Sequence, residues 1–212
     1  MCGFAGFVGE VENREQVLEN MIDTIIHRGP DSSGKFVDED AALGFRRLSI
    51  IDLSESGDQP LYNEDRSKVL VFNGEIYNYQ ELREELIQAG HTFVSNTDSE
   101  TLIHGYEQWG EELVYRLRGM YAFAIWDQKA KRLFSARDIF GIKPLYYAQM
   151  NGTLMFGSEI KSFWSIRSLI KCLMKMHWEI TCLFSLFRPM RRSLKACSVY
   201  SRAIISFMRT GK

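Results

Sequence analysis

Cysteine and proline are scarce in this sequence of 212 residues, which holds four of each. The cysteines Cys2, Cys172, Cys182 and Cys197 form no Cys-x-x-Cys pair and show no zinc-site spacing with histidine. They therefore predict neither a zinc site nor a disulfide framework, and we expect no bound metal. Cys2 is the single cysteine of the first 163 residues.

Long apolar runs are also missing. No stretch approaches the roughly 18 uncharged apolar residues that a membrane-spanning helix needs. Three early glutamates, Glu10, Glu12 and Glu15, interrupt the opening segment before the apolar core of an export signal could form. With 45% apolar residues the chain can still fill a core. We therefore expect a globular cytoplasmic protein without a membrane partner.

Acidic residues are nearly absent from the last quarter of the chain. Residues 164–212 hold ten Lys and Arg but only one Asp or Glu, a net charge of +9, while residues 1–163 hold 16 and 26, a net charge of −10. Fifteen of the 16 glycines lie in the first part. This change in composition predicts one domain over residues 2–163 and a basic tail over residues 164–212.

Hydrophobic periodicity predicts an α+β domain in which helices cover a mostly antiparallel, multi-stranded core. Helical spacing occurs over 11–26, 79–90 and 99–110, and strand-like runs lie at 3–8, 42–53, 68–77, 121–127, 131–138, 144–150 and 153–158. Asn78 is expected to cap the second helix in a capping box with Glu81, and Gly90 to end it.

Asn73-Gly74 lies between apolar residues and has two interpretations. Asn-Gly is the strongest short signal for a hairpin turn, which is the favoured interpretation of the dipeptide alone. The alternative is an oxyanion hole, in which a carboxamide NH2 and a neighbouring glycine N–H stabilise the negative oxygen of a tetrahedral intermediate.

Charged residues in two places could bind the ends of an amino-acid substrate. Arg46 and Arg47 lie in a strand-like segment, so at most one of them faces inward, where its planar fork would bind a carboxylate. Asp98 alone is best interpreted as a helix N-cap, with Thr97 as the alternative cap. Together, an arginine and an aspartate could hold a carboxylate and an ammonium group.

Cys2 has no obvious base beside it in the sequence. His27, Arg28 and Asp31 surround a Gly-Pro turn, where we expect the arginine and the aspartate to brace the loop, and we predict no Cys-His pair. Removal of Met1 would leave an α-amino group on Cys2 with a pKa of about 7.7 to 8.0, which can act as base near neutral pH. Nucleophile and base would then belong to one residue, and a chain that keeps Met1 should be inactive.

Seven ordered stretches lie between Cys2 and about Phe163: CGFAGF, HRGPD, RRLSIID with GDQPL, VFNGEIYNYQELREEL, TDSETLIHGYEQWG, RLRGMYAFAIWD, and ARDIFGIKPLYY with FGSEIK. Together they resemble the N-terminal glutaminase domain, a class II glutamine amidotransferase, of glutamine-hydrolysing asparagine synthase. Amidotransferases of purine and aminosugar synthesis share the cysteine and the Asn-Gly pair but resemble the other stretches less closely. Relatives with other ammonia acceptors carry the same set, so the acceptor stays open.

The resemblance implies a four-layer αββα sandwich of the N-terminal-nucleophile (Ntn) hydrolase type that cleaves L-glutamine to glutamate and ammonia. Cys2 matches the nucleophile that forms a thioester, and Asn73 and Gly74 match the oxyanion hole. Arg47 matches the residue that binds the substrate α-carboxylate, Asp98 the one that binds its α-amino group, and Glu75 a residue that lines the pocket.

The sequence departs from the family after FGSEIK, where a linker and an ATP-dependent synthetase domain with an SGGxDS loop would follow. That loop occurs nowhere in the sequence. We therefore expect a chain truncated before its amidation half, with no cofactor for the glutaminase step, and with ATP, magnesium and the acceptor aspartate belonging to the absent half.

The basic tail admits three interpretations. It could contact nucleic acid or an anionic membrane, although no recognition motif accompanies its charge and we expect neither partner. It could form a docking helix on which Lys171, Lys175 and Glu179 lie at i, i+4 spacing. The favoured interpretation is a coding frame broken near codon 163, which would leave a tail without a selected structure.

A second class of function remains open beside the enzyme. Without its synthetase half the chain could be a non-catalytic remnant or binding module that keeps the site residues without using them. It could also aggregate through apolar side chains left exposed in the tail. These are Trp164, Trp178, Leu183, Phe184, Leu186 and Phe187.

Overall fold

The structure is a computed structural model that describes residues 2–48, 58–150, 152–166 and 204–208. The strands are β1 (Gly3–Val8), β2 (Ser32–Val37), β3 (Ala41–Arg47), β4 (Leu61–Tyr62), β5 (Lys68–Ile76), β6 (Gly119–Asp127), β7 (Arg132–Arg137), β8 (Tyr146–Met150), β9 (Thr153–Gly157) and β10 (Ile204–Met208). The α-helices are α1 (Arg14–Asp23), α2 (Tyr79–Gln88), α3 (Asp98–Trp109) and α4 (Leu113–Arg116). Short 3₁₀ segments lie at Ile26–Arg28, Gly110–Glu112 and Ile160–Ser165.

The strands form two five-stranded sheets in which every neighbouring pair is antiparallel. The first sheet has the order β2-β3-β1-β9-β8 and the second the order β10-β7-β6-β5-β4. In the first sheet Gly3 lies opposite Arg46. In the second Asn73 lies opposite Ala122. The N-terminal strand is therefore central in its sheet, with a partner on each side.

Side chains alternate along the strands and bury one face of each sheet against the other. On β1 the residues Phe4 and Val8 face the second sheet, and on β5 the residues Val69 and Val71 face the first. The core between the sheets also contains larger side chains from the neighbouring strands. These are Leu43, Phe45, Trp126, Leu133, Leu154 and Phe156.

Helices cover the two outer faces. Leu18, Met21 and Ile22 of α1 pack on the first sheet, as the helical spacing of the sequence requires. Apolar side chains of the other helices pack on the second sheet; they are Leu82 of α2, Leu102, Ile103 and Tyr106 of α3, and Leu113 of α4. The order helix, sheet, sheet, helix confirms the predicted four-layer αββα sandwich.

Two details of the sequence prediction need correction. Asn78 is the N-cap residue of α2 but makes no side-chain cap bond. Its amide instead donates to the Arg116 carbonyl at 3.0 Å and accepts from the Arg118 N–H at 2.9 Å, so it joins α2 to the approach to β6. Strand β2 was not predicted because Ser-Ser-Gly-Lys has little strand character. Gly90 does follow α2, with φ of +100°.

The predicted division at residue 163 stays a prediction, since most of the tail lies outside the described residues. The expected docking helix with Lys171, Lys175 and Glu179 also lies outside them, as do the apolar residues from Trp178 to Phe187. Within the described part, Trp164 is 58% exposed, and Ile204–Met208 forms β10. None of the described helices is long and apolar enough to cross a membrane.

Candidate active site

Three of the side chains that the sequence singled out lie on the facing sides of the two sheets. Cys2 precedes β1 and packs against the core between the sheets, in phase with Phe4 two residues later. Arg47 follows Phe45 on β3 in the same phase, and Asn73 follows Val71 on β5. Because period-two positions share a face, Cys2, Arg47 and Asn73 all point into this one interior.

The thiol of Cys2 is held by the backbone of Leu48, just beyond β3. Its Sγ lies 3.7 Å from the Leu48 carbonyl oxygen and 3.4 Å from the Leu48 nitrogen, whose N–H donates to it. Arg28 donates from Nε to the Cys2 carbonyl at 3.1 Å. Both the main chain and the side chain of the candidate nucleophile are therefore fixed, while its own nitrogen stays outside these bonds.

Glu159, which follows β9 in the sequence, holds the side chain of Arg28 in place. Its Oε1 accepts from Arg28 Nη1 at 3.1 Å and lies 2.8 Å from His27 Nε2, and its Oε2 lies 3.2 Å from Lys161 Nζ. Partial burial alone would raise the pKa of Glu159, but the bonds from His27, Arg28 and Lys161 outweigh it and lower that pKa. The carboxylate thus stays charged and orients Arg28 against the Cys2 carbonyl.

Arg28 reaches beyond the turn that it was expected to brace. Its guanidinium ties the 3₁₀ segment to the start of β1 and to Glu159. The two ring nitrogens of His27 contact Glu159 and Lys161.

The two adjacent arginines point to opposite faces of the first sheet, as strand geometry predicts. Arg46 turns outward and bonds to the Ile22 carbonyl at 3.3 Å and to the Asp23 carboxylate. Arg47 turns inward, is 8% exposed, and places Nη1 2.7 Å from Oδ1 of Asp58. The Arg47 guanidinium therefore lies in the interior that Cys2 faces, and one of its nitrogens pairs with the half-exposed carboxylate of Asp58.

Asn73-Gly74 is not a turn. Both residues lie inside β5, which pairs without interruption with β6 from Lys68 to Ile76. Glycine is required because a Cβ at Gly74 would come within 2.3 Å of the Met120 carbonyl oxygen. Asn73 is 4% exposed, and its Nδ2 has no hydrogen-bond acceptor among the described residues. A buried, unpartnered NH2 group is costly and is the kind of donor that an oxyanion hole needs.

Asp98 links the start of α3 to the end of β5. Thr97 occupies the N-cap position without a side-chain cap bond, and Asp98 is the first helical residue. The Asp98 carboxylate accepts from the Ile76 N–H at 2.9 Å. Burial raises the pKa of Asp98, backbone N–H groups oppose that shift, and the charge of Glu75 adds to it. The two acidic side chains therefore lie close enough for their charges to interact, near the end of the strand that carries Asn73, and together they suit a positively charged substrate group.

The structure thus places Cys2, Arg47 and Asn73 on the facing sides of the two sheets, and Asp98 beside the end of β5 that carries Glu75. Sequence reasoning missed the groups that position them, which are Arg28 as an anchor, Leu48, Asp58, Gln59 and Glu159. Gln59 accepts from the Phe72 N–H at 2.6 Å and donates to the Phe72 carbonyl at 3.1 Å, immediately before Asn73. The stretches HRGPD, GDQPL and FGSEIK contain these residues, but only the fold shows what each one touches.

This arrangement offers a thiol, a buried amide donor, a guanidinium and two carboxylates to one small molecule. The guanidinium suits a carboxylate, the two carboxylates suit an ammonium group, and the thiol and amide suit attack on a carbonyl. The chemistry of the site therefore fits acyl transfer from an amino acid that carries a reactive side-chain carbonyl.

Comparison with known proteins agrees with this chemistry. The glutamine amidotransferase domain family matches residues 1–202. Asparagine synthetase [glutamine-hydrolyzing] 1 of Bacillus subtilis is 50% identical over 167 residues, which cover 76% of this chain and 26% of that protein. The corresponding protein of Zea mays is 44% identical over 167 residues, or 76% of this chain and 28% of that protein. The chain thus spans about a quarter of the length of the curated relatives it matches.

A solved structure shows the same fold. The glutamine phosphoribosylpyrophosphate amidotransferase of B. subtilis, complexed with ADP and GMP, aligns with a TM-score of 0.66 at 22% identity. The alignment covers 78% of this chain and 43% of that one. A second structure, of the allosteric regulatory enzyme of purine biosynthesis, aligns with a TM-score of 0.67 at 22% identity.

Proposed function

Because the chain belongs to the glutamine amidotransferase domain family, we propose that it hydrolyses L-glutamine to glutamate and ammonia with Cys2 as nucleophile. The observation that carries this proposal is the buried NH2 group of Asn73, which has no acceptor in the described structure and lies on the inner face that Cys2 shares. An unpartnered amide donor on the sheet that faces a fixed thiol supports stabilisation of an oxyanion.

The first half of the reaction forms a thioester. After removal of Met1, the α-amino group of Cys2 takes the thiol proton, and Sγ attacks the side-chain carbonyl carbon of glutamine. The carbonyl oxygen becomes negative and receives hydrogen bonds from Asn73 and the Gly74 N–H. The C–N bond then breaks, and the nitrogen leaves as ammonia with the proton that the α-amino group carried.

The second half is hydrolysis. Water attacks the thioester with the α-amino group as base, the C–S bond breaks, and glutamate leaves. Throughout, Arg47 binds the substrate α-carboxylate, and Asp98 with Glu75 binds the α-ammonium group. This assignment pairs the positively charged guanidinium with the substrate carboxylate and the two carboxylates with its ammonium group.

We also propose the destination of the ammonia. The curated relatives are described as asparagine synthetases, and their remaining length lies outside this chain. Aspartate would be the acceptor, and ATP and magnesium would serve that amidation rather than glutamine hydrolysis. By itself the chain would release ammonia to solvent.

The first experiment measures the intact mass of the purified full chain before and after treatment with a glutamine-mimicking diazo-ketone. We expect loss of Met1 followed by one adduct on Cys2, which excess glutamine prevents. A chain without Met1 that forms no adduct would overturn the proposal and favour the alternative of a non-catalytic binding module.

The second experiment measures glutamate release by the processed chain. Cys2→Ala should abolish it, and Asn73→Ala should lower kcat by about 10²- to 10³-fold, the loss typical of one oxyanion donor. Asn20→Ala, at an exposed asparagine of α1, is the matched control and should keep full activity. Full activity of Cys2→Ala would contradict the assignment of the nucleophile.

A further inference from the structure

A second cluster of reactive side chains lies away from Cys2, on α3 and the segment that precedes it. His91 lies between α2 and α3, while His104 and Glu107 lie at i, i+3 on α3. One ligand atom from each of the three lies within 4.8 Å of the other two. His104 is 2% exposed, and the other two are partly buried. Cysteine spacing predicted no metal site, and this cluster contains no cysteine.

The outer ring nitrogens of both histidines face oxygens that can only accept a hydrogen bond. His91 Nε2 lies 3.2 Å from Oε1 of Gln108, and His104 Nε2 lies 3.6 Å from Oε1 of Glu100. In His91 this neighbour favours a hydrogen on Nε2, which leaves the lone pair on Nδ1. In His104 a carboxylate oxygen faces each ring nitrogen, Glu107 at Nδ1 and Glu100 at Nε2, so a cation at Nδ1 would require the ring hydrogen to be on Nε2, toward Glu100. A carboxylate or carbonyl oxygen on the outer nitrogen is the usual support of a metal-binding histidine.

The inner ring nitrogens both face one carboxylate oxygen. Oε2 of Glu107 lies 3.2 Å from Nδ1 of His104 and 3.9 Å from Nδ1 of His91. For metal–ligand distances of about 2.0 to 2.1 Å, the edge of a tetrahedron is about 3.3 Å. The Glu107–His104 separation therefore already matches that edge, and the Glu107–His91 separation exceeds it by about 0.6 Å, so His91 would move inward when an ion binds.

The surrounding charges favour a cation at this point. Oε1 of Glu64 lies 3.8 Å from Nδ1 of His104 and adds a second carboxylate on the solvent side. Lys68 lies 3.7 Å from Oε1 of Glu107, but it is shared with Asp127 at 3.9 Å. Asn63 donates to the same Oε1 at 2.8 Å, which leaves Oε2 directed toward the histidines.

We propose that His91, His104 and Glu107 form a site for a divalent transition-metal ion of the zinc type, with Glu64 or water as the fourth ligand. Imidazole and carboxylate together suit zinc, and their outer partners Gln108 and Glu100 complete the expected support. The ion would tie the segment before α3 to the helix itself. Since α3 begins at Asp98, it would also steady the residue assigned to the substrate ammonium group.

The experiment titrates the full chain with zinc chloride by calorimetry after its thiols have been alkylated, so that cysteine does not contribute. We expect one zinc per chain and a higher melting temperature in its presence, because an ion that binds only the folded state stabilises it. His91→Asn and Glu107→Gln should each weaken binding by at least about tenfold. Both sites are partly exposed, so neither replacement removes a core side chain.

Two matched variants test whether the effect is local. His27→Asn replaces a histidine that pairs with Glu159, and Glu112→Gln replaces an exposed carboxylate just beyond α3; neither should change zinc affinity. Absence of zinc binding by the alkylated chain would overturn the proposal. Unchanged affinity and stoichiometry in the His91→Asn, Glu107→Gln double variant would overturn it equally, whatever the chain does to glutamine.

Discussion

A buried NH2 group without an acceptor costs about 1 to 3 kcal/mol, and Asn73 carries such a group in the middle of a strand. Natural sequences break a local rule of this kind mostly where function requires it. Replacement of Asn73 by alanine should therefore lower activity without lowering the free energy of unfolding. The residue is retained for what it donates to a bound molecule and not for stability.

The raised pKa of Asp98 predicts a pH dependence of glutamine binding. Burial raises the pKa of this carboxyl above its usual value of 3.8, and the charge of Glu75 raises it further. The carboxylate binds an ammonium group only when ionised, so binding should weaken as the pH falls through this raised pKa. Calorimetry on Cys2→Ala, which should bind glutamine without hydrolysing it, would measure the dissociation constant without turnover of the ligand.

Two further variants in that background locate the titration. Asp98→Asn should weaken binding at every pH at which Asp98 is ionised and should reduce the acid dependence, with Glu75 as the carboxylate that remains. Glu75→Gln should move the midpoint to lower pH, since it removes a negative charge that opposes ionisation of Asp98. An unchanged midpoint in Glu75→Gln would contradict the proposed pairing of the two carboxylates.

The ion pair between Arg47 and Asp58 predicts a variant that binds glutamine more tightly. Asp58 holds one arm of the guanidinium at 2.7 Å, and the substrate α-carboxylate must compete with it or share it. Exposed ion pairs contribute about 0.2 to 1 kcal/mol, so Asp58→Asn should lower the KM for glutamine by up to about fivefold. Steady-state kinetics check this, with Asp23→Asn, which removes the ion pair of the outward-facing Arg46, as the matched control; a higher KM in Asp58→Asn would show that Asp58 orients Arg47 instead.

At the scale of the element, β5 shows why the favoured interpretation of Asn73-Gly74 failed. Asn-Gly is a turn signal because both residues tolerate positive φ, but the same small glycine also permits close approach of another strand. Here the Met120 carbonyl of β6 occupies the space that a Cβ would need. The sequence contains the residue type for both outcomes, and only pairing with a strand more than forty positions later decides between them.

Gln59 predicts how strongly the edge of β5 depends on one side chain. Strand β4 pairs with β5 only at Leu61 and Tyr62. Beyond that point the side-chain amide of Gln59 hydrogen-bonds to both the N–H and the carbonyl of Phe72. Gln59→Leu should leave these groups unpaired and lower the free energy of unfolding by about 2 kcal/mol. Urea denaturation measures this effect, and kcat should fall with it because Asn73 follows Phe72.

The exposed Gln80 of α2 provides the matched control for that variant. Gln80→Leu changes the same side chain at a surface position and should unfold at nearly the same urea concentration as the original chain. Equal stability of Gln59→Leu and Gln80→Leu would show that the Gln59 amide does not support β5.

The elements themselves were predictable where period and composition agree. Helices α1, α2 and α3 have apolar residues at helical spacing, and β1, β6 and β7 are rich in apolar and aromatic residues. The supports of the site were not predictable in this way. Arg28 and Glu159 meet across 131 positions of the chain, and no local pattern marks such a pair.

For the whole molecule, the resemblance and the alternation of side chains together predicted the order of the four layers. They did not predict the order of strands within each sheet, because register and crossing connections depend on pairing over long distances. They also gave no sign that residues 204–208 take part in the second sheet. Composition had set the whole tail apart, yet a run such as Ile-Ile-Ser-Phe-Met fits a strand by itself.

Strand β10 closes a sheet edge that the rest of the domain would leave bare. It pairs with β7 over five residues, Ser206 accepts from Nε of Arg132 at 2.8 Å, and Phe207 packs on the core between the sheets. Without β10 the backbone of β7 would present a row of unpaired N–H and C=O groups, which is a template for joining the same strand of another molecule. Solubility of this protein at high concentration would then depend on its last few residues.

That dependence can be measured with prolines. Successive residues of a strand turn their N–H groups to opposite sides, so the double replacement Ser206→Pro, Phe207→Pro must remove at least one bond to β7. Sedimentation velocity should show dimers or larger species that grow with concentration, whereas Ser206→Thr should stay as the original chain. If the proline variant sediments like the original chain at every concentration, β7 does not need β10 to prevent self-association. Should it self-associate, residues 204–208 protect this domain from intermolecular strand pairing, whatever the origin of the tail that carries them.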